Sequence, residues 1–329
     1  MTDPSPLYGA IDLGGTKLRS IVADGSGRVL GDDIRLSRTE EGLEAVLGRM
    51  VECLDASLAK AGVERARLTG LGIASPGAVD SARGIVPEAP QLPGWRDVPL
   101  ARLMEERLGV AARLENDATA AALGEHRYGA GRGSRYMVYL TVSTGIGGGI
   151  IIDGELYGGK SGAAGELGHV VIDMNGPPCG CGARGCLEAL ASGTAIGRKG
   201  EELAEGGRSP ILARLRWEEG RVTAEMMQRA AEMGDTASRE AFREAGHYLG
   251  VALASYVNIF DPEVIVIGGG VAKAGDLLLE QARITMQASA MAQPLKGVRL
   301  VMSELGDFVG ALGMVARLTE VGEGKAQEG

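Results

Sequence analysis

The sequence contains no run of 18 or more apolar residues, so it predicts no membrane-spanning helix and no membrane partner. Residues Met1 to Leu7 include neither a basic segment nor an apolar one, so a secretory signal is not predicted and we expect a cytoplasmic protein. Basic residues are also few: Lys and Arg number 34 against 43 Asp and Glu, a formal net charge of −9. Such a chain repels a phosphate backbone, and nucleic acid is not an expected partner.

Aromatic residues make up only 4% of the 329 residues, which predicts an aliphatic core, and the chain has only four cysteines. Four cysteines without a secretory signal do not form a disulfide framework. Glycine, in contrast, is abundant, with 53 residues or about twice its usual share. At roughly 150 residues per domain, the length predicts two domains.

A strand, a glycine turn, a second strand and an Asp-Gly pair occur twice in this order. The first copy has strands at Leu7–Leu13 and Leu18–Ala23 around the turn Gly14, Gly15, Thr16 and Lys17. The second has strands at Tyr136–Ser143 and Ile150–Ile152 around a turn that includes Thr144 and Gly145. One such turn is typical of a plain hairpin. Because backbone N–H groups at glycine turns bind anions, the duplication favours a pair of phosphate-binding turns.

Further elements follow from hydrophobic periodicity and from the stop signals Gly and Pro. A third glycine turn, at Gly268, Gly269, Gly270 and Val271, follows a predicted strand at Glu263–Ile267 and resembles a dinucleotide turn only weakly. The predicted helices are Gly42–Ala61, Leu100–Leu108, one opening at Asn116-Asp117, several within Ser192–Phe260, Asp276–Met291 and Phe308–Leu318.

Three cysteines lie within eight residues, ten residues after a histidine. Cys179, Cys181, Cys186 and His169 have the composition of a structural Cys₃His zinc site. Buried reduced thiols or a redox pair are the alternatives. The glycines between the cysteines favour zinc, because they let a short loop fold around one ion.

Three acidic residues are candidates for chemistry. Asp117 either caps the helix that begins beside it or accepts a proton from a substrate hydroxyl. Glu166 and Glu188 flank the cysteine loop, where they are either solvated surface residues or ligands of a polyhydroxylated sugar. The residue pattern alone leaves both choices open.

Taken together, these motifs resemble those of the ROK family of repressors, open reading frames and kinases. The matching segments extend from about Tyr8 to Leu318, and the chain is most similar to the bacterial glucokinases of the family. The resemblance implies an α/β fold of the actin-like ATPase (ribonuclease H-like) type, with two domains around a cleft. The smaller would comprise residues 1–115 and 306–322, and the larger residues 116–305.

The resemblance also implies a function: ATP-dependent phosphorylation of a hexose at its 6-hydroxyl, with D-glucose as the first candidate. Asp117 would be the base. The sugar would be bound by Gly77, Asn116, Asp117, Glu166, His169 and Glu188. ATP and Mg²⁺ would be bound by Asp12, Gly14, Gly15, Thr16, Lys17, Thr144, Gly145, Gly268, Gly269, Gly270 and Val271. Structural Zn²⁺ would be held by His169 and the three cysteines, and the protein would be a homo-oligomer, a dimer or a tetramer.

Several alternatives stay open at this point. Gln91 stands where related glucokinases often have Asn, so N-acetylmannosamine, N-acetylglucosamine, fructose or allose could replace glucose. Polyphosphate could replace ATP. A sugar-sensing repressor would need a helix-turn-helix domain, and only about a dozen residues precede Gly14. A zinc-stabilised interaction module would leave Asp117 and the glycine turns without a purpose.

Overall fold

The computed structural model describes residues 5–89 and 91–327. Contacts divide these residues into two compact units. Unit 1 contains the described residues up to Arg135, Gly149–Gly165 and the described residues from Ser303 onward. Unit 2 contains Tyr136–Gly148 and Glu166–Met302. The domain bounds implied by the resemblance stay a prediction.

Runs of strands are separated by helices along the chain, and several helices follow one another before the last two strands. The strands are β1 (Leu7–Leu13), β2 (Lys17–Asp24), β3 (Val29–Leu36), β4 (Leu68–Ser75), β5 (Ala78–Asp80), β6 (Ile85–Glu88), β7 (Arg96–Val98), β8 (Ala112–Asn116), β9 (Met137–Val142), β10 (Ile146–Ile152), β11 (Glu155–Leu156), β12 (Val264–Gly268) and β13 (Arg299–Met302). The α-helices are α1 (Leu43–Ala61), α2 (Leu100–Leu108), α3 (Asp117–Tyr128), α4 (Leu187–Ala191), α5 (Gly193–Glu205), α6 (Pro210–Glu219), α7 (Ala224–Glu232), α8 (Thr236–Phe260), α9 (Asp276–Ser289), α10 (Ala292–Leu295) and α11 (Val309–Gln327).

Unit 1 is built on a five-stranded sheet in the order β3-β2-β1-β4-β8. β1, β2 and β3 are antiparallel neighbours, whereas β4 pairs in parallel with β1 and β8. Successive side chains of a strand point to opposite faces. Leu18 and Val22 of β2 therefore join the core cluster that contains α1, while Ile21 and Ala23 join the one that contains α11. The sheet has a helical layer on each face.

Unit 2 contains three parallel strands, with β12 paired on one side to β9 and on the other to β13. β12 is completely buried, as its unbroken Val-Ile-Val-Ile sequence predicts for a central parallel strand. The long helix α8 packs closely with α9. Gly250 allows this approach, since a Cβ there would lie 2.6 Å from the carbonyl oxygen of Ala282.

One predicted turn is shorter than the sequence indicates. β10 begins at Ile146, so Gly147, Gly148 and Gly149 are strand residues rather than turn residues. Gly148 is needed there because a Cβ would lie 2.6 Å from Leu167 Cδ1 and 2.9 Å from the Tyr139 carbonyl oxygen.

Among the described residues, no helix is both long enough and apolar enough to span a bilayer.

Candidate functional site

The first glycine turn joins β1 to β2 in unit 1. The Gly14 N–H donates to the Lys17 carbonyl oxygen at 2.9 Å. Buried Ser37, just after β3, fixes the turn, because its Oγ donates to the Gly14 carbonyl oxygen at 2.6 Å and its N–H to the Thr16 carbonyl oxygen at 2.9 Å. Thr16 and Lys17 are exposed. The turn is therefore rigid, with a hydroxyl and an ammonium group available to an anion.

Asp12, near the end of β1, lies in a strongly perturbed environment. Burial raises the pKa of its carboxyl to about 7, and the Asp117 carboxylate adds to the rise, while Arg19 lowers it in part. Gly310 of α11 lies against this group, since a Cβ there would lie 2.5 Å from Asp12 Oδ2. Asp12 and Asp117 thus repel each other electrostatically within unit 1. A divalent cation bound beside them would stabilise such a pair of carboxylates.

The first turn of α3 distinguishes the two roles considered for Asp117. Asn116 is the N-cap, because its Oδ1 accepts from the N–H groups of Ala118 at 3.0 Å and Thr119 at 3.1 Å. Asp117 is the first helical residue and is half-buried. Asn116 rather than Asp117 is therefore the N-cap, although Asp117 Oδ1 also accepts the Ala118 N–H at 2.8 Å.

The other side of the Asn116 amide reaches a second predicted site residue. Its Nδ2 donates to the carbonyl oxygen of Gly77 at 3.0 Å. Gly77 has φ +82°, and a Cβ there would lie 2.7 Å from the Cβ of Ala89, so both its backbone conformation and its surroundings require glycine. The structure thus brings Gly77, Asn116 and Asp117 to the same end of the sheet.

Gln91 lies beside the first glycine turn. A Cβ at Gly15 would lie 3.2 Å from Gln91 Cβ. The residue that departs from the usual family sequence is therefore close to a predicted phosphate-binding glycine, and its side chain is exposed.

In unit 2, the predicted zinc ligands form a cluster. The ligand atoms of His169, Cys179, Cys181 and Cys186 all lie within 4.8 Å of one another. Cys181 and Cys186 Sγ are 3.7 Å apart, and Cys179 Sγ lies 3.5 Å from His169 Nδ1. A tetrahedral zinc ion with bonds of about 2.3 Å to sulfur separates two sulfurs by about 3.8 Å. The donor set and its spacing fit zinc.

His169 contributes its Nδ1 to the cluster, and its other ring nitrogen, Nε2, lies near Glu166. His169 Nε2 lies 3.9 Å from a carboxylate oxygen of Glu166, whose side chain is 63% exposed. Both residues belong to a short turn at Glu166–His169, which packs against the start of β10 through Gly168. Two predicted sugar ligands are thereby placed together.

Glu188 connects the cysteine loop with the second glycine turn. It lies on α4, two residues after Cys186, and its Oε2 accepts the Ile146 N–H at 2.9 Å. A Cβ at Gly145 would lie 2.5 Å from the same oxygen. Glu188 is therefore not a merely solvated surface glutamate. It fixes the turn that contains Gly145.

A cavity of about 810 Å³ lies entirely within unit 2. Thr144, Gly270 and Val271 line it, so residues of the second and third glycine turns meet at one cavity. Gly145, Gly268 and Gly269 are not among its lining residues. Gly268 is buried at the end of β12, and Gly269 has φ +92° and packs against the Val142 backbone. These glycines shape the turns instead of facing the cavity.

Sequence reasoning missed most of this cavity. Thr194 and Arg198 of α5, Gln228 of α7 and Phe242 of α8 also line it. They come from helices scattered over about 50 residues, and no motif marks them. Gly310 of unit 1 was missed for the same reason, because a lone glycine on a helix carries no pattern.

Comparisons with known proteins agree with this architecture. The ROK family model matches residues 8–320, and the chain belongs to the ROK family. It is 38% identical over 310 residues to the glucokinase of Thermotoga maritima, covering 94% of this chain and 96% of that protein. It is 31% identical to the xylose repressor of Caldicellulosiruptor bescii, covering 93% of this chain and 76% of the repressor.

Among solved structures, the chain resembles a ROK family glucokinase from Streptomyces griseus in complex with glucose and AMPPNP. The TM-score is 0.82 at 32% identity, covering 95% of this chain and 98% of that one. The family and the actin-like α/β fold predicted from the sequence are therefore confirmed. The roles of individual site residues stay predictions.

Proposed function

We propose that the protein is an ATP-dependent hexose kinase that converts D-glucose to glucose 6-phosphate. The observation that carries this proposal is the carboxylate of Asp117, which is half-buried, directly follows the N-cap Asn116 and interacts with the Asp12 carboxylate. The similarity to glucokinases from two organisms supports the choice of glucose.

In the proposed reaction, Asp117 accepts the proton of the sugar 6-hydroxyl as that oxygen attacks the γ-phosphorus of ATP. The new P–O bond forms, the bond to the β-phosphate oxygen breaks, and ADP leaves with the bond's electron pair. A carboxylate can take this proton, whereas an amide of the same shape cannot. The remaining residues contribute positioning and charge stabilisation, which dominate phosphoryl transfer.

These contributions divide by position. Thr16 and Lys17, on the turn held by Ser37, bind phosphate oxygens, as does Thr144 in unit 2. The 810 Å³ cavity takes the nucleoside of ATP, with Gly270 and Val271 against it. Gly77, Asn116, Glu166, His169 and Glu188 bind the sugar hydroxyls.

Two metals belong to this proposal. Asp12 is the residue that would hold the Mg²⁺ of the nucleotide, which when bound supplies positive charge to the phosphates. Zn²⁺ held by His169, Cys179, Cys181 and Cys186 is structural, because four protein ligands leave no position for substrate water.

Asp117→Asn tests the proposed base. Because Asn116 is the N-cap, and because the new amide keeps an oxygen that can accept the Ala118 N–H, this substitution removes the basicity of the group while preserving the first turn of α3. We expect kcat to fall by roughly 10² or more, with the melting temperature and glucose affinity little changed. Asp276→Asn is the matched control, since Asp276 is likewise the first residue of a helix, α9. Near-normal turnover of Asp117→Asn would remove Asp117 from the mechanism.

A coupled assay with a sugar panel tests the substrate and the donor. The panel is glucose, N-acetylmannosamine, N-acetylglucosamine, fructose and allose, each with ATP and with polyphosphate. The highest kcat/KM is expected for glucose with ATP, and absence of turnover on every sugar would overturn the kinase proposal. The similarity to a xylose repressor makes fluorescence anisotropy with DNA a useful companion measurement, in which we expect no sequence-specific binding.

A further inference from the structure

Glu125, in the last turn of α3, is a fully buried carboxylate with no role in the proposed chemistry. Burying a carboxylate is costly unless it is paired or multiply hydrogen-bonded. Among the described residues, no basic side chain forms an ion pair with Glu125. Its stabilisation must come from hydrogen bonds.

Those hydrogen bonds tie α3 to a segment almost 180 residues away. Glu125 Oε1 accepts from Ser303 Oγ at 2.6 Å and from the N–H groups of Glu304 at 3.1 Å and Leu305 at 3.0 Å. Its Oε2 accepts from the N–H of Ala130 at 2.8 Å. Residues 303–305 lead into α11, so one carboxylate joins the end of α3 to the start of α11.

The two helices are in unusually close contact beyond this joint. A Cβ at Gly124 of α3 would lie 2.6 Å from the Val309 carbonyl oxygen, and one at Gly313 of α11 would lie 1.6 Å from the Ala120 carbonyl oxygen. Such backbone-to-backbone packing leaves little room for either helix to slide without a clash. The hydrogen bonds of Glu125 and the close contacts of Gly124 and Gly313 therefore both fix the position of α11 along α3.

Each helix contributes to the placement of one of the two coupled carboxylates. α3 begins with Asp117, and the first turn of α11 presents Gly310 against Asp12. A shift of α11 along α3 would therefore move Gly310, which packs against Asp12, relative to Asp117, the proposed base.

We infer that Glu125 is a positioning residue, which acts through the α3–α11 contact to hold Asp12 and Asp117 in their working geometry. The inference rests on the proposed kinase function. It predicts an effect on turnover rather than on substrate affinity, because none of the hydrogen-bond partners of Glu125 is a proposed substrate-binding residue. A displacement of about 1 Å at a catalytic group can cost about 100-fold in rate.

Glu125→Gln is the main test, because both carboxylate oxygens face only donors and the new amide must set an N–H group against one of them. Kinase assays with glucose and ATP should show kcat at least about 10-fold lower, with both KM values within about 3-fold of wild type. Asp235→Asn is the matched control. Asp235 is also a buried carboxylate, accepting from Ser209 Oγ at 2.6 Å and the Ser238 N–H at 2.7 Å, but it caps α8 in unit 2. We expect it to lower the melting temperature and leave kcat unchanged.

If Glu125→Gln does not fold, Ser303→Ala replaces it, with Ser209→Ala as its control. Both serines donate to a buried carboxylate at 2.6 Å. A larger fall in kcat for Ser303→Ala than for Ser209→Ala supports the inference. A loss of thermal stability with unchanged kcat, in either Glu125→Gln or Ser303→Ala, would overturn it and leave Glu125 purely structural. A wild-type enzyme inactive on all sugars would instead refute the proposed function, before any variant is compared.

Discussion

Replacing Asp12 by Asn should make the protein more stable at neutral and alkaline pH. The ordinary pKa of this carboxyl is 3.8, and in the folded protein burial and the Asp117 carboxylate raise it to about 7. A difference of this size corresponds to up to about 4 kcal/mol of unfolding free energy. Asn has nearly the shape of the protonated acid and cannot ionise, so the variant avoids this cost.

The direction of the pH dependence follows from the raised pKa. Below pH 3.8 the carboxyl is protonated in both states, and its contribution to stability is fully present. Between pH 3.8 and about 7 the unfolded chain ionises first, so the wild type loses stability as the pH rises. The stability advantage of Asp12→Asn should therefore grow between pH 4 and pH 8, by up to about 4 kcal/mol, and stay constant above that.

Denaturant unfolding at several pH values measures this difference, in buffer without Mg²⁺ and without a chelator that would remove zinc. Asp24→Asn is a control of opposite sign. Although burial raises the pKa of Asp24, hydrogen bonds from Ser26 and Arg28 lower it overall, so this variant should be less stable than wild type at pH 8 and approach it in acid. A stability difference for Asp12→Asn that does not change with pH would refute the reasoning.

Two further predictions concern unit 2. Cys181→Ser should lose zinc, measured by metal analysis, and lower the melting temperature, and a metal-free wild type with full activity would contradict the zinc site. Gly270→Val should raise the KM for ATP about 10-fold or more with little change in the KM for glucose, because Gly270 lines the cavity. The fold should tolerate this change, since Gly270 has an ordinary φ of −63° and the nearest atom to an added Cβ is 3.8 Å away. Steady-state kinetics tests the second, and equal rises in both KM values would argue against a nucleotide cavity.

Elements with strong periodicity and clear stop signals could be predicted from the sequence. β1 spans Leu7–Leu13 and α2 spans Leu100–Leu108, as predicted, because an apolar run or stripe ends there at glycine. The zinc cluster could also be predicted from the sequence, since its ligands lie within 18 residues of one another. Local chemistry suffices for such features.

What could not be predicted depends on contacts between distant segments. Asn116 and Asp117 are both good caps, and only the backbone geometry shows that Asn116 begins the helix. Gly147 to Gly149 have the composition of a turn, yet they form part of β10, where Leu167 and Tyr139 lie too close to Gly148 for a side chain, and Ala122 too close to Gly149. Glu125 has the sequence context of a solvated helical glutamate, and three of its four donors lie some 180 residues along the chain.

Zinc binding should also order the second glycine turn, in addition to stabilising unit 2 against unfolding. One end of the zinc loop is the turn containing His169, where a Cβ at Gly168 would lie 1.9 Å from the Ile146 carbonyl oxygen. The other end is Cys186, which leads into α4, whose Glu188 accepts the Ile146 N–H. Both polar groups of the Ile146 backbone are thus in contact with residues that lie within two positions of a zinc ligand. Loss of zinc should loosen the turn of Thr144 and Gly145 before it unfolds unit 2. In Cys181→Ser, the KM for ATP should therefore rise at temperatures well below the melting transition, whereas a zinc site that only adds global stability would leave KM unchanged there.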